Sequence, residues 1–322
     1  MKSITENSCC PLGCQGPDEE VVIGGDILHG LPGKFTVVKC RSCGLMRTNP
    51  RPTQDAISAY YPDDYGPYIG TRVPNAIPKR AVWVRKILKP LISRLFNSKG
   101  TFLPSIKPGK MLEIGCASGS YLHQMAGQGW KVQGIEFSEK AAKSATALGY
   151  QVYVGSLETA PNPDEAFDLI VGWMVLEHLH DPIACLKKLR VWAKPNAWLA
   201  LSVPNAGSIE FRIFRDKWYA LQLPTHLYHY TPTTIETVLS SAGWTLEKIH
   251  HQRVLNNLFV SIGYVLQSKG YSKLGQKFIE FPAHAALWWY ILYPLALLLS
   301  IFGQTGRMTV WARLSTTPGE IG

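Results

Sequence analysis

The stretch KMLEIGCASGSYLHQMAGQGWKVQGIEF, residues 110–137, decides the fold. KMLEIG is a short apolar strand, and the small residues after it make a tight turn. SYLHQMAGQG is a helix that stops at glycine, and WKVQGIEF is a second strand. The same grammar continues outward. SEKAAKSATALG (138–149) predicts a helix with Ser138 as its N-cap, and strands follow at YQVYVG (150–155), FDLIVGWM (167–174) and AWLALSVP (197–204). Strands alternating with helices make a mostly parallel sheet covered on both faces. Ligands of such sheets sit beyond the carboxyl ends of the strands, where the strand order switches.

Two features fall at that place. Gly115, Ala117 and Gly119 form a turn whose small side chains let backbone approach a ligand, and Glu136 closes the second strand about twenty residues on, where a carboxylate can accept hydrogen bonds from both hydroxyls of a ribose. A dinucleotide requires G-x-G-x-x-G with its pyrophosphate over the helix N-terminus. Here the series reads G-x-A-x-G-x-x-L, with Leu122 in place of the last glycine. That argues against a nicotinamide enzyme.

LEIGCASGSYL, GIEFS and FDLIVGWMVLEHLHDP resemble the successive motifs of class I S-adenosylmethionine-dependent methyltransferases, over about 110–203. CRSCGLMRTNPRPTQDAISAYYPDDY (40–65) and KWYALQLPTHLYHYTPTTIETVLSSAGW (217–244) resemble the flanks of bacterial members that carry an N-terminal zinc ribbon, of the kind found in cell-envelope polysaccharide biosynthesis. The resemblance implies a Rossmann-like methyltransferase sheet, mostly parallel with an antiparallel last strand, and S-adenosylmethionine as cofactor. It further implies that Glu113, Gly115, Ala117 and Gly119 hold the methionine part, Glu136 the ribose, and Phe137 the adenine. Many relatives place an Asp after the third strand to bind the adenine amine. This chain has GSLET there, so Ser156 or Glu158 stands in, and Trp173 completes the cofactor set.

Five of the seven cysteines crowd the first 43 residues. With no apolar leader in MKSITENSCCPLG, a reducing cytoplasm is expected, and the thiolates are available to a metal. Cys10 and Cys14, then Cys40 and Cys43, are two tight pairs across a short sheet, as in a closed four-sulfur structural zinc site, although Cys9 is an alternative to Cys10.

Methyl transfer from a sulfonium is an in-line displacement, so alignment dominates, and a base is needed only if the acceptor must lose a proton. His178, in LEHLHDP just past the fourth strand, and His226 and His229, in the aromatic loop FRDKWYALQLPTHLYHYTP (214–232), are the candidate catalytic groups. His180 is expected to point elsewhere, and Tyr228 and Tyr230 are candidate pocket walls.

RMTVWARL (307–314) reads as the last strand, paired antiparallel beside WTLEKIHHQ (244–252), which makes everything between them an insertion. A single membrane crossing there would strand the closing strand on the wrong side of the bilayer. The apolar run AALWWYILYPLALLLSIF is barely long enough to span and has Pro294 in its middle. A helical hairpin that enters one leaflet and returns is therefore expected, with a basic turn carrying Lys269, Lys273 and Lys277, and Trp288, Trp289, Tyr290 and Tyr293 as interfacial anchors. PKRAVWVRKILKPLISRLFNSKG (78–100) reads as a basic amphipathic helix on an anionic surface. These segments give the net charge of +10 a membrane explanation, and no nucleic-acid module competes.

The expected organisation is a zinc ribbon (1–47), a linker with the basic helix (48–100), the α/β core (101–253), an apolar helical hairpin insertion (254–304) and the last strand with a tail (305–322). The expected function is a methyltransferase peripheral or monotopic at the inner leaflet, acting on a small or lipid-linked, sugar- or glycolipid-like acceptor. The atom methylated and the oligomeric state stay open. The alternative is a non-catalytic module of the same fold that docks through its ribbon.

Overall fold

The computed structural model describes residues 4–61, 103–284 and 288–314. The basic helix expected at 78–100 lies outside the described residues. The N-terminal segment holds β1 (Thr5–Glu6), β2 (Asp18–Gly24), β3 (Phe35–Cys40), β4 (Met46–Thr48) and β5 (Arg51–Pro52). The core runs β6 (Lys110–Ile114), α1 (Ser120–Ala126), β7 (Lys131–Glu136), α2 (Glu139–Ala147), β8 (Gln151–Val154), β9 (Phe167–Trp173), α3 (Pro182–Trp192) and β10 (Ala193–Pro204). It continues through α4 (Ile209–Phe214), β11 (Tyr228–His229), α5 (Pro232–Ser241), β12 (Trp244–His251), α6 (Asn256–Ser268), α7 (Ser272–His284), α8 (Trp288–Ile301) and β13 (Arg307–Leu314).

The main sheet is seven-stranded in the order β12-β13-β10-β9-β6-β7-β8. β6 to β10 run parallel, and β13 is antiparallel to both β10 and β12, as the alternation in RMTVWARL led one to expect. The order reverses direction between β6 and β9, so the ligand crevice opens above their carboxyl ends. β9 is almost wholly apolar because helices cover it on both sides: Phe167, Leu169, Ile170 and Val171 are all fully buried. Local chemistry sets the helix starts. The Ser138 side chain accepts from Ala141 N at α2, Asp181 accepts from Ala184 N ahead of Pro182 at α3, and Thr231 and Thr234 cap one another at α5.

The ribbon is joined to the core by hydrogen bonds. Its sheet has the order β11-β4-β3-β2, so a strand contributed from the 214–232 loop closes it. Phe35, Val37 and Met46 of the ribbon pack with Phe211, Trp218, Leu221 and Leu223 of the core in one apolar cluster. Burial of this kind is worth roughly 1.5–3 kcal/mol per large side chain.

The insertion departs from the expected hairpin. It is three helices, and the stretch SKLGQKFIEFPAH, part of which was expected to be a basic turn, forms α7. α6 and α7 are the hairpin. They meet at Gly263 and Gly275, where a Cβ on Gly263 would lie 2.7 Å from the Gly275 carbonyl, and Phe259 packs on Phe278 and Phe281. These aromatics give α7 an apolar face that a solvated turn would waste. Lys269 stays in the turn, whereas Lys273 and Lys277 ride on α7. α8 then returns the chain to β13. Among the described residues, no helix is long and apolar enough to cross a membrane.

Candidate functional site

A cavity of about 510 Å³ opens at the carboxyl ends of β6, β7 and β9. One end is built by the turn after β6. Gly115 has φ +66, and a Cβ there would lie 2.6 Å from Val175 Cγ2, so only glycine fits. Gly119 also has positive φ, but its role is packing, since its Cβ would strike Ala145 of α2 at 2.7 Å. Between them Ala117 turns its N–H to Glu136 Oε2 at 2.8 Å, and Ser138 N donates to Glu136 Oε1 at 2.7 Å. The carboxylate of Glu136 is thus fixed at the cavity wall. Burial raises its pKa, against the pull of the N–H groups of Ser138, Ala117 and Phe137.

Gly115, Ala117, Glu136, Phe137, Ser156, Glu158 and Trp173 all line this end, and Phe137 keeps half its surface exposed. Gly119 and Glu113 do not line it. Glu113 is buried behind the wall, where desolvation and the Glu136 charge push its pKa well up. Glu113 Oε2 and the Trp173 indole N–H have no hydrogen-bond partner among the described residues. An orphaned acceptor and an orphaned donor flanking a glycine cradle fit an S-adenosyl group, which offers an ammonium, a carboxylate and two ribose hydroxyls.

The other end is built after β9. Met174, at φ +60, turns the chain into a short 3-10 helix, Leu176–His178. His178 Nδ1 lies 2.9 Å from the Thr225 carbonyl and 2.9 Å from the Tyr61 hydroxyl. His226 Nδ1 lies 2.9 Å from the Ala220 carbonyl. A carbonyl only accepts, so each Nδ1 carries the proton and each Nε2 keeps a lone pair. The rings meet edge to face, with centroids 4.6 Å apart. Burial lowers the His178 pKa to about 4 and pushes that of His226 well below its ordinary value, so both are neutral. His178 and His226 line the cavity together with Tyr61, His180, Tyr219, Gln222 and Arg307, and Leu28 and His29 of the ribbon segment cover it.

Other expectations require correction. His229 is not at the cavity. As part of β11 it is buried under the ribbon, with Nε2 3.2 Å from Thr48 Oγ1. His180, expected to point away, lines the cavity and approaches the Pro52 carbonyl at 3.1 Å. Tyr228 and Tyr230 are packing residues whose hydroxyls bond the His180 and Leu176 carbonyls. Three residues at this end of the cavity escaped the sequence reading. Tyr61 and Arg307 carried no local pattern beyond their flanking strand or loop. Glu177 hid in an apolar run, yet it is fully buried. Burial pushes its pKa up to about 8, against the pull of its own N–H and of Arg307.

In the ribbon, the sulfur atoms of Cys10, Cys14, Cys40 and Cys43 all lie within 4.8 Å of one another, and Cys9 is exposed outside the group. Two turns bring the pairs together, each carrying a glycine at positive φ, Gly13 and Gly44. Four convergent thiols match the donor set of a structural zinc.

Comparison with known proteins finds similarity to methyltransferases. Curated relatives include the ubiquinone biosynthesis O-methyltransferases of Thiobacillus denitrificans, 28% identical over 154 residues, and of Bordetella pertussis, 28% identical over 152 residues. The matched stretches are 44% and 43% of this chain, and they span 66% and 63% of those proteins, less than two thirds of their length. Among solved structures, an S-adenosylmethionine-dependent methyltransferase from Mesorhizobium loti aligns over 66% of this chain and 93% of its own, at TM-score 0.44 and 16% identity. The magnesium protoporphyrin IX methyltransferase of Synechocystis, solved with S-adenosylhomocysteine, aligns over 61% of this chain and 90% of its own, at TM-score 0.42 and 16% identity. A family model described as a methyltransferase domain matches residues 82–249, more than half of the chain. With that match on a sheet of this order, the chain belongs to the methyltransferase-domain family.

Proposed function

We propose that the protein is an S-adenosylmethionine-dependent methyltransferase acting on a small or lipid-linked, sugar- or glycolipid-like acceptor at a membrane surface. The observation that carries this reading is the continuity of the cavity, from the Glu136 carboxylate at one end to the His178 and His226 rings at the other. When bound, the cofactor supplies an electrophilic methyl group on sulfur. Glu136 would accept the ribose hydroxyls, Phe137 would lie against the base with Ser156 and Glu158 at its edge, and Gly115, Ala117 and the unpartnered Trp173 indole would take the methionine end, with Glu113 and Gly119 supporting that wall from behind. The cavity floor holds the acceptor so that its nucleophile faces the methyl carbon, and such alignment supplies most of the rate enhancement. His178 and His226 are assigned to the acceptor's hydroxyl, because both rings are held neutral with a lone pair available. His229 has no part in this reading. The organisation into ribbon, core and insertion belongs to the same proposal, with zinc in the four-cysteine site and the ribbon segment covering the acceptor end.

For the membrane, α8 supports the reading. Trp288, Ile291, Leu295, Leu298, Ile301 and Phe302 recur at helical spacing, and every one is exposed, Ile291 at 67% and Leu298 at 53%. A stripe of that extent on a 14-residue helix suits an element lying in the interface of the inner leaflet.

The test is calorimetric titration with S-adenosylhomocysteine, followed by an acceptor screen on envelope extracts with radiolabelled cofactor. Binding by the intact protein, weakened roughly 100-fold or more in Glu136→Ala, is expected, since two charge-assisted hydrogen bonds are worth about 1.5–3 kcal/mol each. No heat from the intact protein overturns the reading in favour of a docking module.

A further inference from the structure

We propose that Glu177, His178 and His226 form a divalent-cation site at the histidine end of the cavity. One carboxylate oxygen of Glu177 and one ring nitrogen from each histidine lie within 4.8 Å of one another. What makes this a site rather than a cluster is the count of protons. The Nδ1 protons of both histidines are spent on the Thr225 and Ala220 carbonyls, so each ring offers the others only a lone pair. Glu177 is fully buried, and neither of its carboxylate oxygens has a hydrogen-bond partner among the described residues. The charge of Arg307 acts on Glu177, but Arg307 makes no hydrogen bond to it, and Arg307 Nε has no hydrogen-bond partner among the described residues. The three groups therefore converge in a buried place, and neither histidine Nδ1 proton is directed at the carboxylate. A shared metal ion would satisfy all three, and a proton held by Glu177 is the competing occupant.

The remaining hydrogen bonds have the form that ligating histidines need. A backbone carbonyl behind each ring fixes its tautomer and raises its basicity, and the Tyr61 hydroxyl adds a second support behind His178. Two neutral imidazoles and one carboxylate on one side of an ion select a borderline first-row metal, such as Mn²⁺, Fe²⁺, Co²⁺ or Zn²⁺, over Ca²⁺ or Mg²⁺, which prefer oxygen throughout. His178 and His226 line the cavity, so the open coordination positions face it. An acceptor presenting a hydroxyl, or two adjacent ones, would occupy those positions, and the ion would lower the pKa of the bound oxygen, so that with the ion bound the two histidines act on that hydroxyl through the ion and not as bases. This role rests on the methyltransferase reading, whereas the presence of the site does not.

Mn²⁺ is the probe, because the four-thiol site holds zinc and disfavours manganese. Protein carrying no more than one zinc per chain by elemental analysis, the amount the four-thiol site takes, is titrated with Mn²⁺, and the free ion is followed by electron paramagnetic resonance. One Mn²⁺ bound per chain is expected, with histidine nitrogen couplings in the pulsed spectrum, and Glu177→Gln should weaken binding at least ~10-fold. His226→Asn serves as the second ligand variant, and Tyr61→Phe should give a smaller loss. Circular dichroism and S-adenosylhomocysteine calorimetry on each variant show that it is folded. No Mn²⁺ uptake by the intact protein, uptake without nitrogen coupling, or equal uptake in folded Glu177→Gln overturns the site and leaves a proton shared by Glu177 in its place. Mn²⁺ uptake without S-adenosylhomocysteine binding would instead overturn the function and keep the site.

Discussion

Replacing Gly115 by alanine tests whether the turn after β6 is held by steric necessity. The residue sits at φ +66, where an L side chain costs about 1–2 kcal/mol. The new methyl carbon would also stand 2.6 Å from Val175 Cγ2, and a β-branched side chain has few rotamers in which to retreat. Relieving such an overlap costs about 1–3 kcal/mol, so the total is about 2–5 kcal/mol. Val175 leads directly into the turn that carries Glu177 and His178, so its displacement reaches the histidine end as well as the glycine end. Gly127→Ala is the matched control. Its φ is −62 and a Cβ would meet only carbonyls at 3.5 Å, so alanine there should be neutral or stabilise by about 0.4–1 kcal/mol. The assay is urea denaturation followed by tryptophan fluorescence, with S-adenosylhomocysteine affinity measured on the folded protein. Gly115→Ala with unchanged stability and affinity would refute the steric argument.

Further outcomes follow from other elements. His229 is buried neutral with its pKa lowered to about 3, from an ordinary 6.5, so its contribution to stability is intact above pH 6.5 and is lost as pH falls towards 3. The loss is on the order of a few kcal/mol. His229→Phe should flatten that acid limb in pH-dependent denaturation, and an unchanged slope contradicts the assignment. Cys40→Ser should empty the ribbon of zinc by elemental analysis and loosen β3 and β4, whereas Cys9→Ser should leave one zinc per chain, and zinc retained in Cys40→Ser refutes the ligand set. Ile291→Lys with Leu298→Lys should release the protein from anionic liposomes in flotation without changing S-adenosylhomocysteine affinity, because α8 lies away from the cavity. Continued flotation of that double variant would show that α8 is not the anchor.

How much of this was legible in the sequence depends on the range of the interactions. The core strands, the caps at Ser138 and Thr231 and the antiparallel closing pair were readable, because periodicity and capping act over a few residues. The cysteine set was readable from spacing, and the exposure of Cys9 chose between the neighbours. Pairings across long stretches of chain were not. Arg47 and Met46 pair with Tyr228 and His229 of β11, and no local pattern announces that partnership, so His229 looked catalytic when it is structural. Tyr61 likewise reaches His178 from outside the core. Glu177 was missed for another reason. An acidic residue inside a buried turn is unfavourable unless the surroundings compensate, and only the three-dimensional placement of His178 and His226 beside it reveals what compensation is available.

The most direct test of the central claim is a crystal structure with S-adenosylhomocysteine bound. The ribose hydroxyls should lie on the Glu136 carboxylate, and the sulfur should point along the cavity towards His178 and His226. A nucleoside bound away from Glu136, or a sulfur turned from the histidines, would contradict the account.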